Sequence, residues 1–396
     1  MLAPMFDVIV VGARCAGSPV AMLLARRGYK VLLLDKARFP SDTVSTHYIH
    51  QSGIARLKEW GLLDRVRASG CPAMTEIAWD IEGITFSGHP PTPNGVPEAF
   101  GPRREVLDAI LVRAAVESGA EFREGFTVKE VDWDNGRVIG IRGRSHGGAM
   151  VTERARVVVG ADGLHSTVAR AVEAPLYEEH SPRTHTYYTY WSGAPMRRLE
   201  FYELPGLGAA AFPTNDGLAM VSIAWSSRVH PAGLRGELEQ HYLAALRRFP
   251  ALAERVLAGK RVARFAGMAN IPNQLRQSAG PGWALVGDAG YHKDPAAAQG
   301  ITDAFRAAEQ LTESLDATFT GVGAPDDALA DYARRRDDRA MPWYRWAVRF
   351  ARFEELSPPR RDLFAAIAAD PEWANRFCGL NAETVNPDEF FATPAG

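Results

Sequence analysis

The sequence of 396 residues predicts an α/β fold: a Rossmann-like dinucleotide-binding domain with a β meander, an added antiparallel sheet, and C-terminal helices. Three observations predict it. An apolar run, Asp7-Val8-Ile9-Val10-Val11, passes through a glycine-bearing turn into a helical pattern, and a second strand closes at Leu33-Leu34-Asp35. From Thr127 to Val151 apolar residues alternate, broken at Asp134-Asn135-Gly136 and Ser145-His146-Gly147-Gly148, as in a three-stranded meander. From about Asp326 the pattern is helical, with Trp343, Trp346, Phe350 and Phe353 recurring at helical spacing. That stripe reads as core or a dimer face rather than a substrate lid.

In the first unit, Gly12-Ala13-Arg14-Cys15-Ala16-Gly17 forms the turn. Gly12 permits a tight bend, Gly17 lets the helix pack closely, and the helix N-terminus offers N–H groups and a positive dipole end to a pyrophosphate. Asp35, with Lys36 beside it, stands where a carboxylate accepts the ribose hydroxyls of an adenosine. Arg14 replaces the middle glycine of G-x-G-x-x-G, so its side chain must turn away from the pyrophosphate or contact it. Cys15 reads as a small residue packed at a helix start.

Two more strand-to-turn motifs follow. Ala155 to Val159 runs into Gly160-Ala161-Asp162-Gly163, and Trp283 to Val286 runs into Gly287-Asp288-Ala289-Gly290, after which Gln299-Gly300-Ile301 opens a helix. In this order, over roughly residues 5 to 320, the set resembles the flavoprotein monooxygenase family typified by para-hydroxybenzoate hydroxylase, with the related geranylgeranyl reductases and flavin halogenases. The resemblance implies bound FAD, with NADPH or NADH as a transient co-substrate and O2 as oxidant. It implies that Asp35 holds the adenosine ribose, that Asp162 and Gly163 serve the flavin and the passing nicotinamide nucleotide, and that Gly287 and Asp288 meet the ribityl and pyrophosphate region. Pro295, Gln299, Gly300 and Ile301 would line the isoalloxazine, with the helix after Gly300 facing its O2/N1 edge. Ser45, Thr46 and His47 would pass near the ring. Arg104, in Arg104-Glu105-Val106-Leu107-Asp108, matches the arginine that reaches FAD, and Val128 marks the strand edge near adenine.

Composition bounds the rest. A hydrophobic content of 46% with 23% charged residues is that of a globular protein, and a net charge of −2 gives no footprint for nucleic acid. Three scattered cysteines argue against a disulfide framework and fit a cytoplasmic protein. No signal peptide and no apolar run of about 20 residues is expected. A monomer or homodimer is expected. Gly321-Val322-Gly323 follows a helix rather than a strand and is not a second nucleotide site.

The expected organisation is a discontinuous FAD-binding domain over 1–73, 99–178 and 276–325, a substrate-binding antiparallel sheet over 74–98 and 179–275, and a helical region over 326–396. Residues 179–275 read as mainly β with one helix, about Gly236 to Arg248. Tyr187, Tyr188, Tyr190, Trp191, Phe201, Tyr202, Phe212 and Trp225 crowd that segment, and alternation puts about half on the inner face.

The resemblance implies a monooxygenase that hydroxylates or epoxidises an aromatic or polyketide-like small molecule through a flavin C4a-hydroperoxide. For a phenol a base is needed, and His47, His50, Tyr188, Tyr190, Tyr202 and His292 are the candidates. Halogenation is disfavoured, because Gly208 and Ala210 stand where the W-x-W-x-I-P element carries tryptophans. Pro205 to Pro213 and Asp294-Pro295 are similar to geranylgeranyl reductases, so reduction of an isoprenoid C=C bond is the first alternative, weakened by the polar and aromatic character of the pocket segment. A flavin-binding protein without catalysis is the other. The signature P-x-G-x-G-x-N reads Pro295-Ala296-Ala297-Ala298-Gln299-Gly300-Ile301-Thr302, with Ala297 expected to narrow the flavin face and Thr302 in the asparagine's place. This departure leaves open a two-component enzyme supplied by a flavin reductase.

Overall fold

A computed structural model describes residues 5–92, 94–229, 236–321 and 324–392. Pro93 in the proline-rich loop, and Val322 and Gly323 of the late glycine pair, lie outside the described residues. Phe6–Val11 is the centre of a parallel sheet, with Val31–Leu34 and then Glu121–Arg123 on one side and Val151–Gly160 and then Trp283–Leu285 on the other. Val8, Ile9 and Val10 are fully buried on both faces, as a parallel sheet between two layers requires. Helices Gly17–Arg26, Arg104–Glu117 and Gly300–Phe319 cover one face. The meander covers the other, with Phe126, Val128, Val131 and Ile141 packed on Ile9, Leu32 and Val158.

Strand Val151–Gly160 serves both layers. Its first four residues pair antiparallel with Arg137–Ser145, and from Ala155 it runs parallel to Phe6–Val11. One continuous strand therefore fixes the meander against the nucleotide sheet.

The second large sheet has the order Lys260–Arg261, Thr184–Ser192, Leu218–Ser226, Leu207–Pro213, Leu199–Leu204, Ile77–Ile81, Ile84–Gly88. It is mixed rather than antiparallel, because Leu199–Leu204 runs parallel to Ile77–Ile81. The reason is topological: the chain crosses the nucleotide domain between these strands, and a long crossover leaves direction free where a hairpin would reverse it. The alternation holds. Tyr188, Tyr190, Phe201 and Phe212 face inward, with Trp79, Met220 and the C-terminal helices. Tyr187, Trp191, Tyr202 and Trp225 face outward. Two helices, Leu238–Leu246 and Pro250–Leu257, cover the outer face where one was expected; Pro250 sits at the start of the second, where its missing N–H costs nothing.

The expected boundaries at 178/179 and 275/276 fall inside strands Leu176–His180 and Asn273–Arg276, which pair with each other and, through the latter, with Tyr291–His292. This small sheet lies between the two large ones in sequence. Helices Pro325–Phe350, Pro358–Ala369, Pro371–Asn381 and Pro387–Ala392 close the chain, and Trp343 and Trp346 are core. Among the described residues no helix is long and apolar enough to cross a membrane.

Glu203 is 4% exposed within the second sheet, and burial raises its carboxyl from 4.5 to about 8, with Glu82 adding to the effect and Arg360 opposing it. The folded protein holds this proton more tightly than the unfolded chain, so the contribution is complete below 4.5 and is lost as pH rises toward 8. Urea unfolding of Glu203→Gln is expected to show a shallower loss of stability than the parent over that window; parallel curves would count against it.

Candidate active site

A cleft of about 730 Å³ runs between the nucleotide sheet and the inner face of the second sheet, within the range of cofactor sites. At one end, Asp35 is 8% exposed and accepts the N–H groups of Ala13 at 2.7 Å through Oδ2 and of Ala37 at 2.7 Å through Oδ1. Each oxygen keeps a lone pair. Lys36 and the meander edge Thr127-Val128-Lys129 complete this end.

The turn is shaped by its neighbours. Gly12 has φ +104°, and a Cβ there would lie 2.3 Å from the Ala161 carbonyl oxygen; a Cβ on Gly17 would lie 1.8 Å from the Gly12 carbonyl oxygen. Gly12 is thus required by the next strand end as much as by any phosphate. Arg14 turns away from the groove floor: Nη1 donates to Asp108 at 2.6 Å and to the Ser41 carbonyl, and Nη2 to Ser41 Oγ at 3.0 Å.

Asp108 is the residue that sequence reading passed over. Its side chain is fully buried and accepts Arg14, Arg104 and the Cys15 thiol, the last at 3.3 Å. The Arg104–Asp108 spacing of four on a helix was the available signal. Burial, with Asp108 adding to it, pushes the Cys15 thiol well above its ordinary range, so Cys15 stays protonated and is no nucleophile.

Toward the other end Asp288 is exposed to the cleft, beside Gly287, Gly300 and Ile301. Asp162 is part-buried, which raises its carboxyl, and it accepts Ser166 Oγ and the Thr167 N–H, holding the helix start at Thr167. Gly163 follows with φ +77°. Asp294, another residue without an assigned role, accepts Thr184 Oγ1 at 2.8 Å and the Ala296 N–H at 3.1 Å, and burial raises it to about 6. It pins the Pro295–Ala297 turn to the second sheet.

Three expectations fail on this turn. Ala297 does not narrow the cleft: it is fully buried in the core and its carbonyl accepts His50 Nε2 at 3.2 Å, while Ala298 takes the left-handed conformation at φ +55°. Thr302 is fully buried against Gly53 rather than at the cleft. Gln299 is 1% exposed and donates to the carbonyls of Leu380 and Asn381, tying down the end of helix Pro371–Asn381 instead of lining the cleft. Each side chain faces the packed side of a turn whose other side forms the cleft wall.

Of the proposed bases, Tyr188 and His292 line the cleft. The Ser45 N–H donates to Tyr188 Oη at 3.3 Å, with Ser45 and Thr46 beside it, and His292 Nδ1 donates to the Pro272 carbonyl at 2.7 Å. The others lie off the cleft lining. His47 is buried, lowered to about 3 by that burial, and therefore neutral; Nδ1–H donates to the Gly101 carbonyl, which leaves Nε2 to accept the Tyr190 hydroxyl at 3.0 Å. His50 is buried and lowered to about 4. Tyr202 donates to Glu200 at 2.6 Å and accepts Arg255, so its hydroxyl is spent on the outer face.

Beyond Thr46, Thr186 and Pro295, which it shares with the cleft, lies a small chamber of about 30 Å³ lined chiefly by Leu199, Phe201, Phe212, Met220, Phe350 and Phe353. The polar aromatics expected here are largely turned outward. The lower half of the C-terminal stripe reaches the chamber, which corrects its reading as core or dimer face alone.

A family profile described as an FAD binding domain matches residues 5–347. The chain belongs to this FAD-binding family. The flavoenzyme is 30% identical over 358 residues to the menaquinone reductase of Mycolicibacterium smegmatis, covering 83% of this chain and 81% of that one. Its fold is similar to the myxobacterial chondrochloren halogenase CndH, with a TM-score of 0.81 and 22% identity over 94% of this chain and 91% of that one. It is similar also to PqsL of Pseudomonas aeruginosa, a probable FAD-dependent monooxygenase, with a TM-score of 0.73 and 23% identity over 95% and 99%. It is an FAD-dependent oxidoreductase.

The cleft fits FAD on its own terms. A close-packed turn without Cβ atoms at Gly12 and Gly17 lies between Asp35 at one end and a carboxylate exposed to the cleft, Asp288, toward the other, and helix Gly300–Phe319 starts at the wall. Asp288→Ala is expected to lower flavin affinity by roughly 10- to 100-fold, the worth of a charged hydrogen bond, with the melting temperature of the flavin-free protein unchanged. A full yellow yield would contradict that role. Gly12→Ala is expected to lose both flavin and thermal stability, since the new Cβ meets backbone; a normal melting curve would contradict the close approach.

Proposed function

We propose that the flavoenzyme is an NAD(P)H-dependent monooxygenase that transfers one oxygen atom of O2 to an electron-rich carbon, in an aromatic ring or an alkene, of a largely apolar small molecule. The balance is substrate, O2, NAD(P)H and a proton giving oxygenated product, water and NAD(P)⁺. When bound, the reduced flavin supplies the electrons and activates O2. The chain supplies position and dryness.

The observation that carries this reading is the chamber. Its walls are apolar, its hydroxyls are Thr46, Thr186, Ser222 and the outward-tied Tyr202, and no carboxylate, amine or imidazole lines it. Such a wall protects an electrophilic oxygen donor from water and has no base to make a phenolate. An alkene or an already electron-rich ring suits it better than a phenol that must lose its proton. Tyr188, at the junction, is the hydroxyl able to orient a substrate oxygen or nitrogen.

Reduction of a C=C bond is the second reading, favoured by the likeness to a menaquinone reductase and by a chamber less polar than the sequence suggested. It needs a proton donor at the second carbon. Asp294 is raised and close to the cleft, but its carboxyl is already engaged by Thr184 and Ala296.

Incubation of the flavin-loaded enzyme with NADPH in air and a panel of alkenes, indoles and phenols is expected to give a product heavier by one oxygen, with oxidation of NADPH stimulated by substrate. A product heavier by two hydrogens would replace the reading with the reductase. Turnover only after addition of a flavin reductase would keep the oxygen transfer and make the enzyme two-component.

A further inference from the structure

One wall of the chamber belongs to neither large sheet. Strand Leu207–Pro213 places Gly208, Ala210 and Phe212 in register with Ala224, Ser222 and Met220 of its neighbour. The inner face thus shrinks from large side chains to almost none. The space is filled by Phe353: a Cβ on Gly208 would lie 2.4 Å from its Cζ and 2.5 Å from its Cε1, closer than real contacts allow.

Phe353 sits on the connection between helices Pro325–Phe350 and Pro358–Ala369. Its φ of +46° lies in the left-handed region that a residue with a side chain seldom adopts. Two contacts hold it there: the Gly206 N–H donates to its carbonyl at 2.8 Å, and its ring packs edge-on to Phe350 with centroids 6.0 Å apart. Strain retained beside a cavity invites a functional reading. The missing side chain at Gly208 and the inserted ring are complementary, and together they form one wall of the chamber that Thr46 and Pro295 share with the cleft.

We propose that Phe353, seated against Gly208, is the stop that sets how far an apolar arm of the substrate extends from the cleft, so that the enzyme takes a molecule with a reactive unsaturated head and an apolar arm of limited length. This rests on the chamber being the substrate pocket of the activity proposed above. Each methylene buried ahead of the stop strengthens binding roughly fourfold, and the first one past it meets a packed ring.

The test is titration of the flavin-loaded enzyme with 4-alkylphenols from methyl to nonyl, read by flavin absorbance and by melting temperature. For the parent, affinity is expected to climb with chain length to a limit and then fall. Phe353→Ala should move the limit to chains longer by about three methylenes, the space of the deleted ring. Gly208→Ala, whose new Cβ displaces the ring that lines the chamber, should shorten it. Should the alanine variant fail to fold, Phe353→Leu should lengthen the limit by less. The same limit in the parent and in cooperatively melting variants would overturn the stop, as would a parent whose affinity ignores chain length. A shifting limit, with no oxygenated alkene or indole in the NADPH turnover assay above, would uphold the stop and remove the monooxygenase reading.

Discussion

Asp108 is a fully buried carboxylate that accepts hydrogen bonds from three directions, and the cleft is assembled around it. Arg14 and Cys15 bring the phosphate-binding turn, Arg104 brings its own helix, and through Arg14 the Ser41-Asp42 loop joins them. A buried charge of this kind is tolerated only when paired and fully hydrogen-bonded, and removing one partner costs about 3–5 kcal/mol. That constraint explains how the turn does without the middle glycine of its motif. Arg14 lines the cleft with its guanidinium held by a partner far along the chain.

The same economy separates the two halves of the site. The cleft mixes polar and apolar groups and is built on strand ends and helix starts of the nucleotide sheet, where unpaired backbone groups and positive-φ glycines collect. The chamber is apolar and built on the pleated face of the second sheet. Asp294 joins them, with its carboxylate on Thr184 of one and its backbone in the turn of the other. The cleft and the chamber are thus held together by a few hydrogen bonds around residues 292–296.

Much of this was legible in order of residues. Gly12, Asp35, Asp162 and Asp288 line one cleft, because each follows the end of a strand whose neighbours are set by apolar periodicity, and Gly17 opens the first helix. The inner and outer aromatics separated by the period of two alone. What was not legible were choices between two sides of one turn. Ala297, Gln299 and Thr302 were read as cleft residues from their place in a signature, but the turn presents only some of its side chains to the cleft. His47, Tyr190 and Tyr202 have chemistry suited to catalysis, and each has it consumed by a partner distant in sequence, Gly101, His47 and Arg255 respectively, with Glu200 two residues away also holding Tyr202.

The sequence by itself determined the nucleotide-binding unit, the strand alternation and the helical C-terminus, because these follow from local periodicity and from glycines that no other residue replaces. The tertiary structure alone decided the parallel crossing at Leu199–Leu204, the pairing of Asp108 with Arg14, the pairing of Tyr202 with Arg255, and the meeting of Phe353 with Gly208. All four depend on which segments become neighbours after the chain has crossed from one sheet to the other and back, and such neighbours are chosen by burial and charge pairing across long separations, which no local pattern carries.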